Sequence, residues 1–179
     1  MSLVDSVQAL SAATVAAVVA LHAQWEAGEL DEDTYVALTV AVVVRANVKA
    51  YALADVAYAA HVSVLAGAPV PAVGLAPPVT EPDRLVKAVR RIVDTSGDPA
   101  RVLTRLERLA DNEPKGAGAK ARGEALARDR RAAGWTRGVK ADGCKVCRDL
   151  AGSVLPKHVP MKRHTGCSCT QNPIMKEAS

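Results

Sequence analysis

The sequence predicts a mainly α-helical protein that ends in a small zinc-binding knuckle. Apolar residues recur at three- and four-residue spacing along most of the first 133 positions, as on the buried face of a helix. Aromatic residues are scarce, with two Trp, three Tyr and no Phe, which favours long, thin, closely packed helices. All four cysteines lie between positions 144 and 169. We therefore expect, in order, a long helical hairpin, a Pro-rich linker, short basic helices and the knuckle.

Residues 2–27 are predicted to form the first helix. Ser2 can cap its amino end, with Asp5 three residues later as an approximate capping box, and Gly28 is a typical stop. A mostly apolar stripe follows one face and consists of Leu3, Val7, Leu10, Thr14, Ala17, Leu21 and Trp25.

A second helix is predicted from Asp31 to about residue 66, ending at Gly67. The short link at residues 28–30 places the two helices antiparallel, so residues 1–67 form a hairpin that we expect to dock on another protein. The second half of the longer helix lacks a partner in this hairpin and must pack on something else. Residues 39–44 are rich in β-branched side chains, so a buried strand is the alternative there.

The segment 67–82 holds five prolines and two glycines, and we define residues 68–81 as the linker. Charge changes sign at this point. Residues 1–80 contain two basic and seven acidic residues, so 2 − 7 = −5, whereas residues 81–179 contain 21 basic and 12 acidic residues, so 21 − 12 = +9. A basic carboxyl-terminal half is typical of proteins with an anionic partner such as nucleic acid, although solvated helix surfaces explain it equally well.

Residues 82–133 are predicted to form short basic helices. Pro82 fits the first turn of one that runs to about residue 94, and Asp98 followed by Pro99 starts another that ends near residue 112. A loop is expected at 113–118 and a third helix at 119–133. The candidates for contacts with nucleic acid or an acidic surface are Arg122, Arg128, Arg130, Arg131, Arg137 and Lys140.

The knuckle is predicted at residues 134–170 and the tail at 171–179 has little to order it. A C-x-x-C motif is followed by an H-x-x-C-x-C motif, and the candidate ligands are Cys144, Cys147, His164, Cys167 and Cys169. Thiolates and imidazole suit zinc, and these five side chains compete for the four places of a tetrahedral site. The spacing leaves open which four bind.

The same cysteines are also able to form two disulfides or remain free thiols. No segment reads as a signal peptide, and the apolar run at residues 9–21 is shorter than the ~20 residues that a membrane span needs. We therefore expect a protein made in a reducing cytoplasm and without a membrane partner, where thiols stay reduced.

An Arg-rich helix is followed by the segment GWTRGVKADGCKVCRDLAG and then by HTGCSC. This part of the chain resembles the carboxyl-terminal end of the MuF-like minor capsid proteins, which are head morphogenesis proteins of tailed bacteriophages. The resemblance covers roughly residues 122–170. It is carried by C-x-x-C-x-x-L-x-G, then His and C-x-C, which are Cys144, Cys147, Leu150, Gly152, His164, Cys167 and Cys169.

This resemblance implies a structural protein of the virion. It would act inside the head near the portal, in head assembly or in DNA packaging and exit, with the portal or major capsid protein as partner and packaged DNA as a further contact. The alternative from the residues is a zinc-knuckle nucleic-acid-binding protein. An enzyme is not expected, since no nucleophile elbow, phosphate-binding loop or paired-carboxylate motif is present, and no small-molecule substrate is expected.

Overall fold

The computed structural model describes residues 2–139, 143–164, 167 and 169–176. Its elements are, in order, α1 (Leu3–Glu26), α2 (Glu32–Ala66), α3 (Glu81–Ser96), α4 (Pro99–Arg128), β1 (Ala132–Gly138), α5 (Lys145–Asp149), β2 (Leu155–Pro156) and β3 (Thr170–Met175). The mainly helical class and the long amino-terminal helices are confirmed.

The hairpin helices begin and end at the residues that local chemistry predicts. The Ser2 hydroxyl accepts the Asp5 amide at 3.2 Å and the Asp5 carboxylate accepts the Ser2 amide, which completes a capping box. Asp31 accepts the Thr34 amide at 2.8 Å at the start of α2, and Gly67 closes α2 with φ of 63°. Because α2 is continuous, residues 39–44 are helical and the strand alternative is wrong.

The helix α4 differs from the prediction. Residues 113–118 continue the helix instead of forming a loop, and Pro114 lies inside it. An interior proline costs about 3 kcal/mol because it removes a hydrogen bond and crowds the preceding turn. Here Pro114 is buried, and the nearby Ser11 hydroxyl from α1 donates to the Asp111 carbonyl at 2.7 Å. Packing against the other helices therefore outweighs the local cost.

A three-stranded antiparallel sheet with the order β2-β1-β3 follows the helices. Trp135 in β1 is opposite Leu155 on one side and Pro173 on the other. The helix predicted to reach residue 133 therefore ends at Arg128, and the tail predicted to lack order supplies β3 up to Met175. Both predictions failed because strand pairing over more than thirty positions leaves no local signal.

Two large apolar clusters form the core of the helical part, and α2 and α4 contribute to both. The first cluster joins Val18, Tyr35 and Val43 of the hairpin to Leu85 of α3 and Leu106 of α4. The second cluster contains Tyr51, Tyr58, Val62, Leu75, Leu126 and Trp135, so it includes residues from both sides of the linker and from β1. The second half of α2 thus finds its partner within the chain, in α4 and the sheet.

Asp55 of α2 holds the linker against the helices. Its carboxylate accepts the backbone N–H groups of Val73, Gly74 and Leu75 at 3.0, 2.6 and 3.0 Å. These three hydrogen bonds lower the pKa of Asp55 in spite of the opposing effect of burial, which is the largest single influence. The Pro-rich segment is consequently extended but anchored.

By length and hydropathy alone, α1 and α2 are each apolar enough to cross a membrane. Core helices of globular proteins pass the same test, and both helices contribute buried residues to the clusters above. The apolar windows are 22% buried in α1 and 44% buried in α2, so much apolar surface on both helices faces outward.

Candidate metal centre

The five predicted ligands lie on two short segments that the sheet brings together. Cys144 is the residue before α5 and Cys147 lies in its first turn, so this turn projects both sulfurs to one side. His164, Cys167 and Cys169 lie on the segment that enters β3. Because β1 pairs with both β2 and β3, the two segments meet at the same end of the sheet.

Cys147 is at the centre of the cluster. Its sulfur is 3.3 Å from the His164 Nε2 atom and 3.9 Å from the Cys167 sulfur. The Cys144 sulfur is 3.1 Å from the same His164 nitrogen. Two groups of candidate ligand atoms result, Cys144–Cys147–His164 and Cys147–Cys167–Cys169, each within 4.8 Å. The cluster can therefore hold a metal ion.

All four cysteines are free thiols in this arrangement. The sulfur–sulfur distance of 3.9 Å between Cys147 and Cys167 is almost twice the length of a disulfide bond, about 2.05 Å. Cys147 and Cys167 are each 2% exposed, and Val139 and Met161 pack against them. The Cys147 and Cys167 side of the cluster is thus largely closed to water, whereas Cys144 is exposed.

Neighbouring groups displace the pKa values of these thiols in opposite directions. The Cys147 amide hydrogen bond to the Cys144 sulfur lowers the pKa of Cys144. Burial raises the pKa of Cys167, but hydrogen bonds from the Cys169 amide and the adjacent thiols outweigh it and lower the pKa to about 7. Burial and the surrounding sulfurs raise the pKa of Cys147 to about 12. A bound cation would remove this conflict because it stabilises every thiolate at once.

Arg137 connects the sheet to the cluster. Its Nη1 atom is 3.7 Å from the Cys147 sulfur and 4.0 Å from the Cys167 sulfur, and its Nη2 atom donates to the Lys162 carbonyl at 2.7 Å. Arg137 is 7% exposed. Its predicted role in contacting nucleic acid or an acidic surface is therefore wrong, since the guanidinium faces the sulfurs.

Arg122 is likewise buried, at 6% exposed, so it is not available at the protein surface as predicted. Its Nε atom donates to the Gln171 carbonyl at 2.6 Å, and its Nη2 atom lies 2.9 Å from the His61 Nδ1 atom. Burial, followed by the charge of Arg122, lowers the pKa of His61, which favours the neutral imidazole that accepts this hydrogen bond. Arg122 thus ties α4 to α2 and β3.

The other predicted basic residues divide into two kinds. Arg128 and Arg130 are exposed, whereas the Arg131 Nε atom forms an ion pair with Asp129 at 2.9 Å. Lys140 lies outside the described residues. Two exposed arginines near the end of α4 thus remain candidates for an anionic partner.

Sequence reasoning missed two residues that hold the knuckle. Arg163 donates from Nη2 to the Cys167 carbonyl at 2.7 Å, and the Trp135 indole donates to the Val159 carbonyl at 3.0 Å. The position of Arg163 directly before His164 was the only available signal, and it does not separate a buried arginine from an exposed one.

No family model, curated protein or solved structure matches this chain.

Proposed function

We propose that the cluster binds one zinc ion as a structural staple. Two thiolates on a tetrahedral zinc, with zinc–sulfur bonds of ~2.3 Å, lie ~3.8 Å apart. The 3.9 Å between the Cys147 and Cys167 sulfurs and the 3.3 Å between Cys147 and His164 support this geometry. Convergence of these side chains is the observation that carries the proposal.

Within the proposed site, Cys147 belongs to both groups of ligand atoms and is therefore assigned as a ligand. The remaining places fall to Cys144, His164, Cys167 and Cys169. A bound zinc would supply four coordinate bonds that join α5 to the segment entering β3. Such a staple suits a knuckle with a small apolar core, because metal-binding energy then becomes folding energy.

The proposed role is structural and not catalytic. A catalytic zinc keeps one position open for water and places a general base beside it. Here five candidate ligands are available for four positions, and the sulfurs of Cys147 and Cys167 are almost fully buried. Both features favour a closed coordination sphere.

For the protein as a whole, we propose a minor head protein of a tailed bacteriophage, located inside the capsid near the portal. The ordered motif from Cys144 to Cys169, which resembles the MuF-like proteins, supports this role. Host cytoplasm would be its location during assembly, and packaged DNA a further contact.

An apolar face on α2 supports docking to a portal or major capsid protein. Leu38, Leu53 and Val56, which helical spacing places on one side of α2, are 40%, 39% and 60% exposed. The exposed charges beside them are Arg45 and Lys49, and the acidic residue of this part of α2, Asp55, is buried against the linker. The face therefore fits an apolar partner with acidic residues at its edge.

A nucleic-acid-binding protein is the second candidate. The exposed guanidinium groups of Arg128 and Arg130 favour it. The burial of Arg122 and Arg137 weakens it, because two of the six predicted contacts are directed inward.

The test has two parts. The purified chain should contain about one zinc per molecule, with Cys147→Ser losing it. It should also co-sediment with a portal or major capsid protein from the same phage genome. Val56→Glu should weaken this association, because it places a charge in the apolar face.

Val79→Glu is the matched control, since Val79 is 95% exposed but lies on the linker. A chain without zinc would refute the staple. A zinc-loaded chain that binds neither the portal nor the major capsid protein, but binds duplex DNA at moderate salt, would refute the capsid role. It would favour a nucleic-acid-binding protein.

A further inference from the structure

A cleft of about 400 Å³ separates α4 from the loop that precedes His164. Gly116, Ala119 and Gly123 form its floor on α4, and Arg163 and Gln171 line it from the opposite side. A smaller adjoining cavity shares Arg163 and Gln171 and is also lined by Arg122. Cys167 and Cys169 also line this smaller cavity, so the cleft borders the candidate metal centre.

Two buried donors in the cleft have no hydrogen-bond partner. They are the Arg163 Nε and the Gln171 Nε2 atoms. Gln171 is 2% exposed, so its amide is almost fully buried. An unsatisfied buried donor costs about 1–3 kcal/mol, and two donors lining one cleft indicate a ligand that accepts from both.

The positive charge of the arginines around the cleft has no carboxylate partner in the described part of the chain. Among the residues that the structure describes, no acidic side chain lies within ion-pair distance of Arg122 or Arg163. Their hydrogen-bond partners are His61 and backbone carbonyls, which are neutral. The Cys167 thiol interacts with Arg163 as well as with Arg137, so the cluster sulfurs balance part of this charge.

The remaining side chains of the cleft reinforce this positive charge. Lys120, Lys157 and His158 lie along it. Its one acidic lining residue, Glu124, accepts a hydrogen bond from the Tyr51 hydroxyl at 3.4 Å. The cleft therefore attracts anions.

Glycines on α4 leave space for the Arg163 and Gln171 side chains. A Cβ atom at Gly123 would lie 3.0 Å from the Gln171 Oε1 atom, and one at Gly116 would lie 3.4 Å from an Arg163 nitrogen. Larger residues at these two positions would therefore crowd the Gln171 and Arg163 side chains. Glycine leaves space beside both groups.

We propose that this cleft binds a phosphate group, with Arg163 and the Gln171 amide as donors and Arg122 as supporting charge. Phosphate suits the arrangement better than carboxylate, because its oxygens point in several directions and are able to accept from donors on different elements. The phosphate is either free in solution or part of a nucleic-acid backbone.

Gln171→Glu tests the proposal on the full zinc-loaded chain. The new carboxylate is almost the same size and lies beside the two arginines, so it should preserve the fold while it repels phosphate. Calorimetric titration with inorganic phosphate should show binding to the unmodified chain and a loss of at least about tenfold in Gln171→Glu. Gln24→Glu, at an exposed position of α1, is the matched control.

Gln171→Met, which removes the donor without adding charge, should also weaken binding, and zinc content and circular dichroism verify the fold of each variant. A wild-type chain that binds no phosphate, or equal binding by Gln171→Glu, would overturn the proposal. A short single-stranded oligonucleotide identifies the source: competition with phosphate indicates the backbone, and phosphate binding without competition indicates the free anion.

Discussion

The guanidinium of Arg137 lies within 4.0 Å of two cluster sulfurs, so one side chain links β1 to the proposed zinc site. A compensating charge stabilises a buried cation, and clustered thiolates would supply it here. In turn, the cation favours the thiolate forms that a metal requires. The sequence did not reveal this role, because Arg137 follows four other arginines that were assigned to the surface together.

Replacing Arg137 by Met should weaken zinc binding by about 10–100-fold, the usual effect of losing a group that supports metal ligands. Arg137→Lys should retain part of the affinity because it keeps the charge. Competition with a chromophoric chelator measures the zinc affinity of both variants. Arg148→Met, on the exposed face of α5, is the control, and equal affinities for the two Met variants would contradict the role of Arg137.

Asp55→Asn should destabilise the protein by about 2–4 kcal/mol, since three backbone donors lose a charged acceptor. Urea unfolding at neutral pH measures the difference. The exposed Asp83→Asn provides the control and should change the free energy of unfolding by less than about 0.5 kcal/mol.

The contribution of Asp55 should also depend on pH. Its pKa is lowered in the folded state, so its stabilisation is fully present above the unfolded value, near 3.8, and is lost as the pH falls through the lower folded value. The difference in stability between wild type and Asp55→Asn should therefore shrink below about pH 4. A difference that stays constant down to pH 2 would contradict this assignment.

Some helices and strands are determined by nearby residues in the sequence, whereas others depend on contacts with distant parts of the chain. The starts of α1, α2 and α4 were predictable because Ser2, Asp31 and Asp98 cap them through their own side chains. The continuity of α4 through Pro114 was not predictable, because it depends on packing against the other helices. The strands β1 and β3 were missed for the same reason, since each requires the other.

Two glycine substitutions should have opposite effects at this scale. A Cβ atom at Gly134 would lie 2.5 Å from the Leu155 carbonyl oxygen, so Gly134→Ala should separate β1 from β2 and cost about 1–3 kcal/mol. Gly118→Ala meets only ordinary contacts, the closest at 3.5 Å, and should stabilise α4 by up to about 1 kcal/mol. Thermal unfolding of the zinc-loaded variants measures both, and equal shifts would contradict the close approach at Gly134.

In the whole molecule, the basic half of the chain packs on the acidic half instead of forming a separate layer. Tyr51 and Leu126 share one apolar cluster with Trp135, although the linker lies between the first and the other two. Composition changes sharply at the linker, but composition does not report on packing across it. The candidate metal ligands were predictable from their spacing alone, whereas their surroundings were not.

Removing the metal should loosen the knuckle and leave the helices in place. Among the described residues of the knuckle, only the five of α5 are helical, so far-UV circular dichroism should change little after chelation. The fluorescence of Trp135, which is fully buried and bonded to Val159, should shift toward longer wavelength. Loss of most of the helical signal would show that the staple supports the entire fold.

The anchoring of the linker by Asp55 has a consequence for proteolysis. A protease needs to draw an extended segment into its active site, and a Pro-rich connection usually offers one. Here the amides of Val73, Gly74 and Leu75 are already bonded to the carboxylate, and Leu75 is inserted into the core. Cleavage at this point would first require the segment to detach, so the apparent weak point of the chain should resist digestion for as long as the helices remain folded.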